Sequence, residues 1–171
     1  RADLADRIDR VVFPGMQGGP HNHITAAIAF MAFEALQPAF KKYQKQIVRN
    51  AQAIAAGLMQ RGFRLVTGGT DNHLLLIECA SIGLDGMKAQ DMLEAGGIVA
   101  NRNTIPGDTS PFYPSGIRLG TPAITTRGMK EEEMYSIAAW FERLLITREK
   151  PAQIAKEIMR LCTKFPVYRV F

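Results

Sequence analysis

A single arginine, Arg118, stands in "SGIRLGTPA" (residues 115–123), a strand-like stretch whose other residues are apolar or small. A guanidinium held on a strand offers a planar fork that grips a carboxylate at two points. The same position suits half of a buried ion pair with a core acid, and spacing alone leaves both readings open. A second candidate lies upstream in "FPGMQGGPHNH" (13–23). Gly18 and Gly19 precede an apolar helical run. Glycine backbone at the mouth of a helix leaves N–H groups free for an anion, with no side chain to hold a phosphate off. A plain Gly-Gly-Pro turn would have the same sequence. His21, His23 and His73 have no partners at metal-ligand spacing and read as hydrogen-bonded structural residues, so no metal site is expected. "TDNH" (70–73) has the make-up of an Asx-type turn. Cys79, in an apolar strand-like run, and Cys162, on the apolar face of a late helix, belong to no C-x-x-C pair. Both are expected to be core thiols in a reducing compartment, and the location assigned is cytoplasmic.

These residues need elements to hold them. Ile24 to Leu36 is apolar almost all round, as in a helix buried inside a larger body. Ala39 to Arg61 repeats Phe40, Tyr43, Ile47, Ala51, Ile54 and Leu58 at steps of three and four, opposite Lys41, Lys42, Lys45, Arg49 and Gln52. The sequence therefore predicts a long amphipathic helix stopped at Gly62. "FRLVT" (63–67) and "HLLLIEC" (73–79) flank the turn-rich "GGTDN" and read as a hairpin. Asp85-Gly86 opens a short helix over Met87 to Ala95, which Gly96-Gly97 closes before a third strand candidate, "IVANRN" (98–103). Three prolines and two glycines make Thr104 to Gly116 an irregular loop, of the kind that carries function on a rigid scaffold. "IRLGTPA" is a short strand running into a turn. A helix follows over Met129 to Thr147, with Met134, Ile137, Ala138, Phe141, Leu144 and Leu145 as its apolar stripe and carboxylates in its first turns. The last helix opens at Pro151 and faces Ile154, Ile158, Leu161, Cys162 and Phe165 inward.

With 47% hydrophobic residues, the 171-residue chain can bury a core in one or two small units. Its net charge of +5 comes from 21 basic residues dispersed among 16 acidic ones without a block of like charge. That pattern favours an ordinary solvated surface around an anionic small-molecule site, with nucleic-acid binding as the electrostatic alternative. Ile24 to Leu36 carries Glu34 and is shorter than the ~18 to 20 apolar residues of a membrane span, so a soluble protein without a membrane partner is expected. Arg1 to Arg10 is charged and helix-like, without an initiator methionine or a signal-peptide pattern, and the sequence reads as beginning in mid-protein.

Four stretches, "FPGMQGGPHNH", "GGTDNHL", "NRNTIPGD" and "SGIRLGTPAITTRG", in this order and at these intervals, resemble the carboxy-terminal part of serine hydroxymethyltransferase, also called glycine hydroxymethyltransferase. The resemblance covers nearly the whole chain, including the closing "FPVY" (165–168). It implies an α/β protein of the aspartate-aminotransferase-like fold, fold type I of the pyridoxal-phosphate transferases. Residues 1–35 would be the tail of the large cofactor-binding domain and residues 36–171 the small carboxy-terminal domain. The small domain would hold an antiparallel or mixed sheet of three or four short strands with helices on one face, and Ala39 to Arg61 would bridge the two domains.

The resemblance also implies a reaction: a one-carbon unit passes between serine and tetrahydrofolate, leaving glycine, with pyridoxal 5'-phosphate as cofactor and tetrahydrofolate as co-substrate. Arg118 would grip the amino-acid carboxylate. Gly18 and Gly19 would reach the cofactor phosphate of the neighbouring subunit, so that the active site forms at the interface of a homodimer or a dimer of dimers. Phe13 and Asn103 would line the folate side of the pocket. The family's Schiff-base lysine, the aspartate facing the pyridine nitrogen and the ring-stacking histidine fall in a segment upstream of Arg1. No catalytic residue is therefore expected in this chain, and the chain alone is expected to be inactive. A folate-independent pyridoxal-phosphate aldolase of the same fold type and a purely structural, dimerising module are the alternatives.

Overall fold

The computed structural model describes residues 1–167, so that Tyr168 of the closing "FPVY" lies outside the described residues. The chain divides into two compact units, Arg1–Lys41 and Lys42–Phe171. In the first unit, helix α1 (Ala5–Arg10) runs into an irregular helical turn, Val11–Met16, in which Phe13 is extended with φ −136° and ψ 123°. Helix α2 (Asn22–Ala35) follows. It is rich in alanine and free of glycine and proline, which suits a helix, and Pro38 then opens helix α3 (Pro38–Met59) from its first position. No residue of Arg1–Lys41 is buried. Ile24, Ile28, Phe30, Met31 and Phe33 of α2 are all exposed, by 50% or more, although the sequence pattern is that of a buried helix.

The second unit is built on a four-stranded sheet in the order β1-β2-β4-β3, with β1 Arg64–Leu65, β2 Leu74–Glu78, β3 Asn101–Asn103 and β4 Gly116–Gly120. Every pairing is antiparallel. Burial alternates along β2, with Leu75 and Ile77 inside and Leu74, Leu76 and Glu78 half-buried, as a sheet covered on one face requires. The covered face shares one core with Ile54 and Leu58 of α3, Leu93 of α4 (Gly86–Ala95), Phe141 and Leu144 of α6 (Glu131–Leu145) and Ile154 of α7 (Pro151–Lys164). The rings of Phe63 and Phe141 meet edge to face with centroids 6.4 Å apart. Each such buried side chain is worth about 1.5–3 kcal/mol.

Glycines set two of the helix ends. Gly62 has φ +85°, donates its N–H to Met59 O, and lets Phe63 N–H reach back to Leu58 O, the paired closure that a left-handed residue allows. In Gly96-Gly97 the two glycines do different work. Gly97 repeats the left-handed closure after α4 with φ +89°, whereas a Cβ on Gly96 would sit 2.5 Å from Leu144 Cδ1 of α6. The second glycine turns the chain and the first lets two helices touch.

Two expectations change in detail. Only Asn101–Asn103 of "IVANRN" is strand, because the turn at Gly97 and Ile98 is still closing α4, and Val99 points into solvent at 90% exposure. "IRLGTPA" ends its strand at Gly120, and Pro122 opens a short helix, α5 (Pro122–Thr126), where a turn was expected. A proline with no N–H to offer a ladder is at home in the first turn of a helix.

Helices α6 and α7 are joined by charge as well as by packing. Arg143 donates to both oxygens of Glu157 (2.6 and 2.9 Å) and to Glu149 Oε2 (2.9 Å), and Trp140 Nε1 donates to Glu157 Oε2 at 3.0 Å. The Arg143 and Trp140 donors hold the Glu157 carboxyl down at about 2. Arg127 secures the far end of α7, donating from Nε to Phe165 O (2.7 Å) and from Nη2 to Cys162 O (3.0 Å).

Candidate functional site

Arg118 is the middle residue of β4, which has a neighbour on each side: Leu76 of β2 lies opposite it in one register and Asn101 of β3 in the other. Its neighbour in sequence, Ile117, is fully buried, while Arg118 itself is exposed. One residue along a strand reverses the face, so the arginine stands on the open side of the sheet on a backbone held by two ladders. Among the described residues its guanidinium has no ion pair and no side-chain hydrogen bond. Glu78, the carboxylate on the same face of β2, is engaged by Arg64 at 3.1 Å. The core-acid reading of Arg118 is therefore not what the structure holds: the residue is exposed and its donors are unpaired among the described residues.

Asn103 shares that face, opposite Gly116 at the start of β4, with its amide Nδ2 donating to Thr104 O at 3.3 Å. The loop from Thr104 to Ser115, which joins β3 to β4, is tied by one carboxylate. Asp108 Oδ2 accepts from Ile105 N–H (2.9 Å) and Ser115 N–H (3.0 Å), and Oδ1 accepts from the Ser115 hydroxyl. These donors, the hydroxyl first, hold the Asp108 carboxyl below its ordinary range. The tie leaves Phe112 and Tyr113 standing in solvent at 80% and 79% exposure. In the sequence Asp108 counts only toward the loop's turn-like composition, with no role of its own; its signal was an acid among prolines and glycines followed by a serine at the loop's return.

Phe13, Gly18 and Gly19 lie in the first unit, Asn103 and Arg118 in the second. Phe13 is 64% exposed. Gly18 and Gly19 are exposed just ahead of α2, whose N-cap, His21, makes no side-chain capping bond. A Cβ built on either glycine would meet no atom within 4 Å. Among the described residues both positions are thus open, as a plain turn or a close backbone approach would each leave them.

The other chemistry-bearing residues are placed quietly. The rings of His21 and His23 meet edge on at 5.8 Å. Asn72 Oδ1 accepts from Leu74 N–H (3.0 Å) in the Asx-type turn before β2. Every lysine is exposed. Among the described residues no three His, Cys, Asp or Glu side chains gather as metal donors, and no helix is long and apolar enough to cross a membrane. Cys79 is buried, and burial pushes its thiol up to about 12; Cys162 is half-buried on α7. A cleft of about 540 Å³ in the second unit has His73, Asn101, Arg118, Trp140 and Cys162 among its lining residues.

Known proteins share this arrangement in sequence. The sequence pattern of the family described as serine hydroxymethyltransferase matches residues 1–141. A serine hydroxymethyltransferase of Sorangium cellulosum (strain So ce56) is 52% identical over 170 residues, covering 97% of this chain and 40% of that relative. One from Koribacter versatilis (strain Ellin345) is 45% identical over 172 residues, covering 98% of this chain and again 40% of the relative. The chain thus spans about 40% of the length of these curated relatives. On the strength of that match, the chain belongs to the serine hydroxymethyltransferase family.

Proposed function

We propose that this chain is the carboxy-terminal part of a cytoplasmic, pyridoxal-phosphate-dependent enzyme that interconverts serine and glycine, with tetrahydrofolate as one-carbon acceptor. The observation that carries the reading is Arg118: an exposed arginine without a side-chain partner among the described residues, on an interior strand of a chain of this family. Residues 1–35 then belong to a large cofactor-binding domain and residues 36–171 form the small domain of fold type I.

In this reading Arg118 binds the amino-acid carboxylate at two points and so fixes which bond at the alpha carbon is aligned for cleavage. Gly18 and Gly19 offer backbone N–H groups to the phosphate of a neighbouring subunit's cofactor, in a homodimer or a dimer of dimers. Phe13 and Asn103 line the folate side. Pyridoxal phosphate, when bound, supplies the electron sink that the protein's own groups lack. The chain's lysines are all solvated, and none sits in the desolvated pocket that activates a lysine amine.

The test is serine cleavage by the full-length protein with and without tetrahydrofolate. Glycine formation that depends on the folate is expected; equal cleavage without it points instead to a folate-independent aldolase. The 171-residue chain mixed with pyridoxal phosphate is expected to give no borohydride-reducible adduct and no serine cleavage. A stoichiometric adduct at one lysine, with folate-dependent turnover, overturns that expectation.

A further inference from the structure

The strand that carries Arg118 is held at its exit by a buried polar cluster. Asn50 is fully buried on the α3 face that also carries Ile47, Ala51 and Ile54. Its Oδ1 accepts from Gln46 Nε2 at 2.8 Å, and its Nδ2 donates to Thr125 Oγ1 (2.8 Å) and Met129 O (3.0 Å). Thr125 Oγ1 in turn donates to Thr121 O at 2.7 Å. The Thr121 hydroxyl, 1% exposed, donates to Ile47 O at 2.8 Å, and Thr121 N–H donates to His73 O at 3.0 Å. One residue, the first after β4, is thereby tied to α3, to the approach of β2 and to α5.

An apolar side chain at position 50 would fill the same core without the cost of desolvating an amide. An amide with both its hydrogens and its oxygen satisfied does something an apolar group cannot: it admits one arrangement of its partners. Two of those partners, Thr125 and Met129, lie on the segment that begins at Thr121, three residues beyond Arg118. A two-point clamp on a planar carboxylate is sensitive to the angle of the strand that bears it, and a shift of about 1 Å in supporting structure is enough to cost on the order of 10²-fold in such a site.

We propose that Asn50 is a positioning residue for Arg118: through Thr125 and Thr121 it fixes the exit of β4 and hence the angle at which the guanidinium meets an amino-acid carboxylate. The inference rests on the reading of Arg118 as the carboxylate-binding residue. It is tested in the full-length holoenzyme by a cycle of Asn50→Leu, Arg118→Leu and the double variant, with the apparent affinity for L-serine and kcat measured separately. Asn50→Leu should weaken serine binding about tenfold with a smaller change in kcat, and it should add nothing in the Arg118→Leu background. The same fold-loss in both backgrounds marks Asn50 as merely structural and overturns the proposal. Should Arg118→Leu alone leave serine binding unchanged, the carboxylate reading itself fails, whatever Asn50 does. Where Asn50→Leu does not fold, Thr125→Val carries the same cycle, and Thr125→Ser, which keeps the hydroxyl, should restore binding.

Discussion

Two arginines of the second unit are placed in opposite ways. Arg143, in the α6–α7 seam, makes three short bonds to two carboxylates, and its side chain is only 25% exposed. Arg118, on the open face of the sheet, makes none among the described residues although a carboxylate stands on the next strand. A guanidinium whose three nitrogens are each bonded within its own protein has little left for a ligand, whereas one left open has given up stability that a nearby acid could supply. The difference separates a residue committed to the fold from one whose donors remain open among the described residues, and each can be broken without touching the other.

The largest effect is expected at the open arginine. Arg118→Lys in the full-length protein should lower kcat/KM for serine on the order of 10²- to 10³-fold, because an ammonium cannot reproduce a two-point grip, while the melting temperature stays unchanged. Near-normal kinetics would remove the assignment. The mirror experiment is Arg143→Ala, which strands Glu149 and Glu157 together. It should cost about 1–2 kcal/mol in urea denaturation, after allowance for solvent screening, and leave the specific activity of the folded protein intact. If activity falls in step with Arg118→Lys, the contrast between the two arginines is false.

A smaller effect is expected at the glycines. Gly19→Val should loosen cofactor retention in dialysis by about tenfold, a branched side chain filling the space a phosphate would use. The chain's own stability should hardly change, since the added Cβ meets no atom here. Retention equal to the parent's would make the pair a turn only. The smallest effect is a pH dependence. Glu157 titrates at about 2 in the folded state against an ordinary 4.5, so the folded state holds fewer protons. The stability it contributes is complete above about pH 5 and is lost as pH falls toward 2. Screening at this partly exposed carboxylate leaves on the order of 1 kcal/mol. Acid unfolding followed by Trp140 fluorescence should show that slope in the parent and a flatter one in Glu157→Gln.

The elements were largely legible because they rest on local signals. The stripe Ile47, Ala51, Ile54, Leu58, the left-handed closure at Gly62 and the cap of Asp85 on Lys88 N–H (2.7 Å) are each written within a few residues. Arg118 was legible as a misfit, a charge in an apolar strand, but its lack of a partner was not. That depends on Arg64 taking Glu78, a pairing set by the register of β1 on β2. Asn50 was hidden for a related reason. It falls between Ile47 and Ala51 on the apolar stripe, yet Thr125 Oγ1 and Met129 O, which accept from its amide, lie 75 and 79 positions away in sequence, and only the folded chain brings them together. Trp140 and Glu157 likewise meet only across two helices.

The two thiols differ in a way that is useful at the bench. Cys79 is buried and stays protonated at neutral pH, which withholds the thiolate that alkylating reagents need. Cys162 is half-buried on α7, among the residues that line the same cleft as Trp140, the chain's single tryptophan. Of these two thiols, a thiol-directed dye should therefore attach at Cys162. It would then form, with no engineered residue, a donor–acceptor pair with Trp140 that reads the spacing of α6 and α7 as an optical distance.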